Sequence, residues 1–496
     1  MYDVLKTATE RVANLLTRGT PTNQLPLEIW TRIFDLAVDH GSEEHTKQVI
    51  PLTHVCQYWR TILLSYPRIW STVYMKPGNP TAISKWLVRS QNAPLTVIAE
   101  FTDFYEHPPC LYEDSAIATL AYNNDDEVCH RHEAILSLNR LLPHRSWIRD
   151  LSILLRSSDP YWDDDVGDHV GEPTLLYHQF FRQSLPNLQR LDFCAVHVEQ
   201  TRYMIPIPDS LFANNLPGLK ELRYLGVTRG LTTTVKNLVS CEIGCLSESA
   251  GPTIFYPDEL LAFFDNNKTV KSLTINECEF LADGPWVPVV TSMTDLKFFK
   301  IECLFDRHLE KILNFIRAPQ FKDLDTIHLS LPPSFVQVVA TDGSGHTLEF
   351  SRSSRDRQNF DPLQYFGAVI TTLRMDPGIT LERLGDEPES YDLFRSFDTV
   401  QVLEFEGVIA DFVQNALSTT GVFPGLRVIR VAVSRHDCVR VLRSLAIASK
   451  RRMMEGNPLT TIEPLLVEGE DGLDESLRVE WEESYKAEDV HNSLSG

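Results

Sequence analysis

The sequence lacks long apolar runs and an excess of basic residues. Within its 496 residues, no uncharged apolar stretch approaches the roughly 18 residues that a membrane-spanning helix needs. Lys and Arg number 46 against 68 Asp and Glu, which gives a formal net charge of −22. Proteins that bind nucleic acid or anionic membranes usually carry a basic face, and the composition indicates none. The sequence therefore predicts neither nucleic acid nor membrane as a partner.

The sequence also lacks the patterns that predict paired cysteines and a signal peptide. The nine Cys residues are odd in number and scattered, which is typical of reduced thiols rather than a disulfide framework. Asp3, Lys6, Glu10 and Arg11 interrupt the first residues, "MYDVLKTATERVANLL", where a signal peptide would need an apolar core. We expect an intracellular protein, in the cytoplasm and/or the nucleus.

Residues that carry chemistry lack the spacing that their chemistry requires. "VCHRH" (128–132) offers too few metal-ligating side chains for a zinc site. The acidic stretch 159–173 lacks the ligand order of an EF-hand, and the Gly-rich 342–346 lacks the Lys-Ser/Thr of a phosphate loop. We expect no catalytic residue, metal or cofactor. An enzyme whose site is assembled only in space is the minor alternative.

A repeat is present from about residue 144 onwards. The pattern is an apolar residue, two variable residues, an apolar residue, one variable residue and a third apolar residue. Three copies begin similarly, with "LPNLQRL", "LPGLKEL" and "FPGLRVI". The copies are Ile148–Leu151–Ile153, Leu188–Leu191–Phe193, Leu219–Leu222–Tyr224, Leu238–Cys241–Ile243, Val270–Leu273–Ile275, Leu296–Phe299–Ile301, Leu324–Ile327–Leu329, Val400–Leu403–Phe405 and Leu426–Ile429–Val431.

These repeats predict stacked parallel strands. The end of each copy alternates like a short strand, and helix-like pieces (257–267 and 307–317) lie between copies. Several spacings fall near the ~20–29 residues of leucine-rich repeats, although the usual Asn or Cys is matched by Cys278 alone. An insertion at about 333–396 contains a predicted hairpin (335–351) and a predicted helix (361–374).

The N-terminal residues predict a small helical module. Its first helix has two apolar stripes, one with Ile29, Ile33 and Leu36 and the other with Leu27, Trp30, Phe34 and Val38. A module of about fifty residues has too little interior to bury both stripes. We place Pro26 and Pro51 at helix starts and Pro67 after the last helix.

This module resembles an F-box, in its fungal F-box-like form. The family pattern is Leu-Pro-x-Glu-apolar, Ile-Phe, Val-Cys-x-x-Trp-Arg and Pro-x-apolar-Trp. The residues that match it are Leu25, Pro26, Glu28, Ile29, Ile33, Phe34, Val55, Cys56, Trp59, Arg60, Pro67, Ile69 and Trp70.

The resemblance implies an α/β architecture, in which a small helical F-box-like module is followed by an irregular leucine-rich-repeat solenoid of parallel strands plus helices. The expected divisions are 1–24, an N-terminal helix or linker; 25–75, the module; 76–143, a linking segment and the start of the array; 144–462, the solenoid; and 463–496, an acidic cap or tail, in which 477–484 is a candidate last strand.

The resemblance also implies partners. Such proteins dock a Skp-type adaptor, and through it a cullin–RING ubiquitin ligase, while the repeats hold a target protein. The adaptor-docking candidates by matching position are Leu25, Pro26, Leu27, Ile29, Ile33, Phe34, Val55, Cys56 and Trp59. Ile33 and Trp59 fit the module's own core equally well, and we assign Trp70 to the junction with the array.

The outward positions of the strands are the candidates for target contact on a concave face. They are Asp192, Arg223, Glu242, Thr274, Lys300, His328, Glu404 and Arg430. For any single one of them, a solvated strand surface without a partner is the more common explanation. The rival function is a non-catalytic scaffold whose helical module is only an N-terminal cap for the solenoid. The two functions differ in whether the second apolar stripe of the first helix is exposed or buried.

Overall fold

The computed structural model describes most of the module and of the repeats. The described residues are 25–40, 44–75, 80–102, 135–157, 178–197, 205–206, 211–228, 235–244, 253–255, 257–276, 278–280, 291–303, 316–330, 335–353, 369–375, 397–406, 409–419, 422–434, 438–454 and 456–466. The chain divides into two compact units, 1–267 and 268–496, and each is described by itself.

The described residues of the first unit begin with three helices, α1 (Leu27–Ala37), α2 (Glu44–Leu52) and α3 (Gln57–Leu64), and a 3-10 turn, Pro67–Trp70. Pro26 is the N-cap residue of α1, so that helix begins one residue later than predicted. The prediction for Pro51 is wrong, because Pro51 lies in the last turn of α2. That helix begins inside the polar stretch, where Lys47 pairs with Glu44 at 2.7 Å.

Six parallel strands follow among the described residues of the first unit. They pair in chain order, with α4 (Pro80–Ser90) between the first two and α5 (Pro257–Asn266) after the last. The bounds are β1 Thr72–Met75, β2 Leu95–Thr102, β3 Ile148–Ser157, β4 Arg190–His197, β5 Glu221–Leu225 and β6 Ser240–Gly244.

The second unit contains nine sheet strands and the helices α6 (Ala410–Leu417) and α7 (Cys438–Met454) in its described part. Its strand order is β7-β8-β11-β10-β9-β12-β13-β14-β15, and all neighbours are parallel except the two pairs that include β10. The bounds are β7 Ser272–Asn276, β8 Phe298–Cys303, β9 Thr326–Ser330, β10 Phe335–Thr341, β11 Thr347–Ser353, β12 Thr372–Met375, β13 Val402–Glu406, β14 Val428–Val433 and β15 Thr461–Leu466.

Shorter elements lie between the sheet strands. Two-residue strands form two parallel pairs, Ile205–Pro206 with Val227–Thr228 and Thr291–Ser292 with Ile316–Arg317. The remaining short strands are Thr253–Phe255 and Cys278–Phe280, residues 135–141 are helical, and further 3-10 turns are Leu142–Trp147, Leu211–Asn214 and Pro319–Asp323.

The repeat prediction is confirmed at the level of strands. Each of the nine predicted copies coincides with a sheet strand, and every apolar residue of the pattern is buried. Each unit is therefore a mixed α/β structure of stacked, mostly parallel strands, as in a solenoid. A further copy, Ile370–Leu373–Met375, lies at β12 and is also buried. The predicted helix 361–374 is thus wrong over the start of β12, while 361–368 lie outside the described residues.

The predicted hairpin is confirmed, but its position in the sheet is new. Its strands β10 and β11 are antiparallel around the turn 342–346. The hairpin lies within the sheet, because β11 pairs in parallel with β8 and β10 pairs with β9. Two repeats that are consecutive in sequence are therefore separated by two inserted strands.

Amide side chains form hydrogen bonds to the backbone of neighbouring turns. The buried amide of Asn267 donates to Val235 O (3.0 Å) and accepts from Leu238 N (3.1 Å). Gln320 Nε2 donates to Leu296 O at 2.6 Å, and Asn187 Nδ2 donates to Ser146 O at 2.6 Å. The turns are thus joined by different residues at different positions, which a strict repeat pattern does not predict.

Several expectations fall on residues outside the described ranges. They are the helix 3–17, the segments 128–132 and 159–173, residues 307–315 of the helix 307–317, and the candidate last strand 477–484. The prediction of that helix is wrong at its end, because Ile316–Arg317 is a short strand.

Candidate functional site

One side of α1 builds the core of the helical module. Trp30 and Phe34 stack with ring centroids 5.6 Å apart, and Trp59 of α3 packs edge-on against both, at 5.3 and 5.1 Å. Phe34 is 0% exposed and Trp59 is 5% exposed. These two adaptor-docking candidates therefore lie inside the module, where they hold α1 against α3 and are not part of its surface.

The other side of α1 is apolar and exposed. Ile29, Ile33 and Leu36 are 46%, 37% and 79% exposed, and their spacing of four and three residues places them on one helix face. We call these three residues the α1 apolar face. The surplus stripe that the sequence predicts is thus on the surface of the described structure. Full burial of an exposed side chain of this size is worth roughly 1.5–3 kcal/mol, and these residues gain the part that corresponds to their exposed surface when a partner covers them.

Further exposed candidates flank this face in sequence. Leu25, Pro26 and Leu27 lie at the start of α1, and Val55 and Cys56 lie between α2 and α3; all are exposed. Cys56 also has a structural role, since it is the N-cap residue of α3 and its Sγ accepts a hydrogen bond from Trp59 N (3.4 Å).

Within the described part of the module, three large apolar residues that are exposed were not among the docking candidates. Leu36 is the most exposed of them, and Ile50 of α2 and Leu64 of α3 are 45% and 37% exposed. The helical spacing from Ile29 and Ile33 identifies Leu36 in the sequence. No such spacing identifies Ile50 and Leu64. Their helices are short and have apolar residues on two sides, so the sequence does not indicate which side packs in the core of the module.

A different surface of the module joins it to the first strands. The buried Trp70 donates from Nε1 to Leu63 O (2.7 Å), packs edge-on against Trp86 of α4 at 4.7 Å and lies under the guanidinium of Arg89 at 4.3 Å. Thr72 of β1 donates to His40 O at 3.0 Å. This geometry agrees with the prediction that Trp70 is at the junction.

The same junction buries a histidine. His45 is 0% exposed, its Nε2 lies 2.9 Å from Ile69 O, and its ring is 4.9 Å from that of His40. Burial lowers the pKa of His45, and the nearby His40 lowers it further, although the hydrogen bond to Ile69 O opposes this. His45 therefore loses its proton more readily than a free imidazole does, and Nε2 is the atom that donates to Ile69 O.

A polar pair reinforces the packing of α1 on the turn after α3. Tyr66 donates to Asp35 Oδ2 at 2.7 Å, and Asp35 also lies 3.3 Å from His40 Nε2. Burial, followed by the hydrogen bond to Asp35, raises the pKa of Tyr66 to about 12. The phenol therefore keeps its proton, and with it this link, well above neutral pH.

The predicted target-contact residues of the first unit lie in one row across the sheet. Asp192, Arg223 and Glu242 are register partners on adjacent strands. Arg223 pairs with Asp192 (Nη1 to Oδ2, 3.6 Å) and with Glu242 (Nε to Oε2, 3.1 Å). Burial alone would lower the pKa of Arg223, but the two carboxylates raise it. The row is thus held by ion pairs between adjacent strands, with one guanidinium between two carboxylates.

A longer row crosses the second unit. Glu404 lies between Arg374 and Arg430 at 2.6 and 2.9 Å, and Arg430 continues to Glu463 at 2.8 Å. Lys300 pairs with Glu349 at 3.1 Å. Burial would raise the pKa of Glu404, but hydrogen bonds from Arg430 and Arg374 lower it. The whole row, in register order, is Thr274, Lys300, Glu349, Val339, His328, Arg374, Glu404, Arg430 and Glu463.

The structure thus brings the target-contact candidates together in one row within each unit. Most of their charges are paired across strands, so charge recognition of a target would have to break existing pairs. Thr274 and His328 are the members of the predicted set that take part in no ion pair of the described structure, and His328 is exposed.

Comparisons with known proteins add nothing to this geometry: no protein-family model matches the chain, and no curated protein matches it. Among the described residues, no group of His, Cys, Asp and Glu is placed to hold a metal ion. None of the helices in the described ranges combines the length and the apolar composition needed to cross a membrane.

Proposed function

We propose that this chain is a non-catalytic substrate receptor of a Skp–cullin–RING ubiquitin ligase. The N-terminal module docks a Skp-type adaptor through the α1 apolar face, and the strand array holds a target protein. The receptor contributes position rather than chemistry, because holding a target beside activated ubiquitin raises its effective concentration.

The exposed α1 apolar face is the observation that carries this proposal. Its three residues lie on a helix whose other side packs in an aromatic core, and all three remain exposed. Protein interfaces use such rigid apolar anchors at their centre, surrounded by polar residues. Glu28 and Arg32, both exposed on α1, supply polar neighbours.

The rival function, a scaffold with a helical cap, has one observation in its favour. Trp70 and the buried His45 seal the module against the first strand and α4, as a cap would. A cap alone, however, leaves the α1 apolar face without a purpose, because that face is not used in the seal. The receptor function accounts for both surfaces.

Binding of a purified Skp-type adaptor to the intact chain tests the proposal. Ile29→Asp together with Ile33→Asp should weaken binding at least about a hundredfold, because hot-spot residues contribute about 2 kcal/mol or more each and 1.4 kcal/mol is tenfold. The matched control is Val88→Asp on α4, which changes a valine that is 75% exposed outside the module and should leave affinity unchanged.

Circular dichroism and the fluorescence of the buried tryptophans establish that each variant is folded. The proposal stands if only the α1 variant loses binding while its fold is retained. Absence of adaptor binding by the folded natural chain, or equal loss in both variants, overturns it and leaves the scaffold as the better account.

A further inference from the structure

Helix α2 is held in the module by two side chains. All nine of its residues are described, and only His45 and Val49 are buried. Pro51 lies in the last turn, where it lacks an amide hydrogen for the hydrogen bond to the preceding turn. A helix of this length is marginal without tertiary contacts, whereas aromatic rings join α1 to α3. The position of α2 therefore depends on its two buried side chains.

One of these two side chains can take up a proton. The imidazole of His45 is 0% exposed, and its Nε2 lies 2.9 Å from Ile69 O, in the turn Pro67–Trp70. Its ring lies 5.7 Å from the ring of Trp86 of α4, which is itself 6% exposed. His45 thus joins α2 to the turn and to α4. A proton added here places a charge in a fully buried position, which is costly unless the contacts open.

The groups around His45 compensate such a charge only in part. The titratable ring of His40 lies 4.9 Å away, and the carboxylate of Asp35 lies 3.3 Å from His40 Nε2. Further charged or titratable groups on the elements packed against His45 are Tyr66 and Arg68 beside Asp35, Arg89 over the ring of Trp70, and Glu44 and Lys47, which pair with each other on α2. Burial lowers the pKa of His45 most, and His40 adds to this, whereas the hydrogen bond to Ile69 O and the nearby Asp39 oppose it. The balance disfavours a proton on the buried ring.

We propose that α2 is a pH-sensitive contact of the module, and that proton uptake by His45 releases α2 from the turn Pro67–Trp70 and from α4. Helices α1 and α3 stay packed, because the rings that join them do not titrate. The hydrogen bond from Thr72 Oγ1 to His40 O contains no titrating group either. Release uncovers Trp86 and leaves the module attached to the first strand by fewer contacts, so acidification makes this attachment less rigid. This inference does not depend on adaptor binding, because it concerns contacts within the chain.

Native-state hydrogen exchange of the full chain at pH 7.5 and pH 5.5, in a series of low urea concentrations, tests the inference. Dividing each rate by the intrinsic exchange rate at the same pH gives the fraction of time that an amide is open. We expect the open fraction across 44–53 to rise severalfold at pH 5.5, up to about tenfold, because the open form takes up a proton near the ordinary pKa of 6.5. Urea should hardly change this opening, because it exposes little surface, whereas the strands should open with a strong urea dependence.

Two variants identify the group that takes up the proton. His45→Gln can still donate to Ile69 O but does not titrate, so α2 should open equally at both pH values. His144→Gln is the matched control and should keep the response of α2, because burial also lowers the pKa of His144 but this residue lies in the turn before β3. Circular dichroism verifies the fold, and the urea series on the natural chain tests the inference without any variant. An opening of α2 that is independent of pH, that has the urea dependence of the strands, that still responds to pH in His45→Gln, or that no longer responds in His144→Gln overturns the inference.

Discussion

A single buried amide shows how polar side chains join turns in this protein. Asn267 is 1% exposed, and its amide donates to Val235 O and Phe263 O and accepts from Leu238 N, at 2.8 to 3.1 Å. Asn267→Ala leaves these backbone groups without that partner in a dry environment. We expect the free energy of unfolding to fall by about 2–4 kcal/mol, measured by urea denaturation.

Asn187→Ala is the matched control for this prediction. Asn187 is exposed and makes one hydrogen bond, to Ser146 O, and water can replace it. Its loss should cost about 1 kcal/mol or less. Equal effects of the two substitutions would mean that burial does not decide the contribution of these amides.

A glycine allows a close approach between successive turns. A methyl group at position 425 would lie 2.7 Å from Asp398 O and 3.3 Å from Val400 O, both backbone atoms that cannot rotate away. Gly425→Ala should therefore cost about 1–3 kcal/mol in the free energy of unfolding. Gly343→Ala in the hairpin turn, where nothing lies within 4 Å of the added carbon, should stay within about 0.5 kcal/mol of the natural chain.

The buried His45 makes stability depend on pH in a defined direction. Its folded pKa lies below the ordinary 6.5, chiefly because of burial, so the unfolded chain takes up a proton that the folded chain resists. The free energy of unfolding should therefore fall as pH drops below about 6.5 and should be insensitive to this group above that value. Urea midpoints at pH 7.5 and pH 5.5 measure the effect.

His45→Gln isolates the contribution of this residue. The amide of Gln can still donate to Ile69 O but does not titrate, so the difference between the two pH values should shrink. His144 and His178 act in the same direction, since burial lowers their pKa values as well, and they keep some pH dependence in the variant. An unchanged difference would show that His45 does not control the acid sensitivity.

Among the elements, the hairpin of β10 and β11 differs most from its sequence interpretation. The sequence presents the hairpin as an insertion that the repeats do not need. In the sheet, however, its two strands lie between β8 and β9. Replacing 335–353 by a short Gly-Ser linker would leave β8 and β9 each without a partner on the edge that the hairpin occupies. We expect that the second unit then no longer unfolds cooperatively, and hydrogen exchange measures this change.

The control for the hairpin deletion changes only its turn. Replacing 343–345 by Ser-Asn-Gly keeps Asp342, whose carboxylate accepts from Ser344 N and His346 N in the natural turn, and keeps both strands. This variant should unfold cooperatively. A deletion that unfolded like the natural chain would mean that the hairpin is a dispensable appendage.

The repeat strands could be predicted from the sequence because each of them contains the repeated apolar pattern. The repeat places apolar residues at fixed positions, so burial of Leu273 or Phe299 follows from sequence alone, as does the strand that carries each of them. The sequence of helix α1 predicts two apolar stripes but does not indicate which of them faces the core. Packing against Trp59 decided that choice, and no local pattern contains such a contact.

Across the whole molecule, the net charge does not show how the charged residues are distributed. A net charge of −22 indicates no basic surface, yet α7 contains five basic residues and no acidic residue. The outward charges of the sheet rows, read singly, suggested recognition of a target, whereas register places Arg374, Glu404 and Arg430 side by side as mutual partners. Pairing of this kind depends on which strands are neighbours, and the inserted hairpin changes that order without a signal in the repeats.

The central claim is that the α1 apolar face receives another protein. Hydrogen exchange of the intact chain, measured with and without a purified Skp-type adaptor, tests it most directly, because the method reports which segments a partner covers. The account predicts slower exchange in α1 (27–37) and across 55–64, with the strands of both units unchanged. Unchanged exchange in α1 beside a bound adaptor, or protection confined to the strand array, would contradict it.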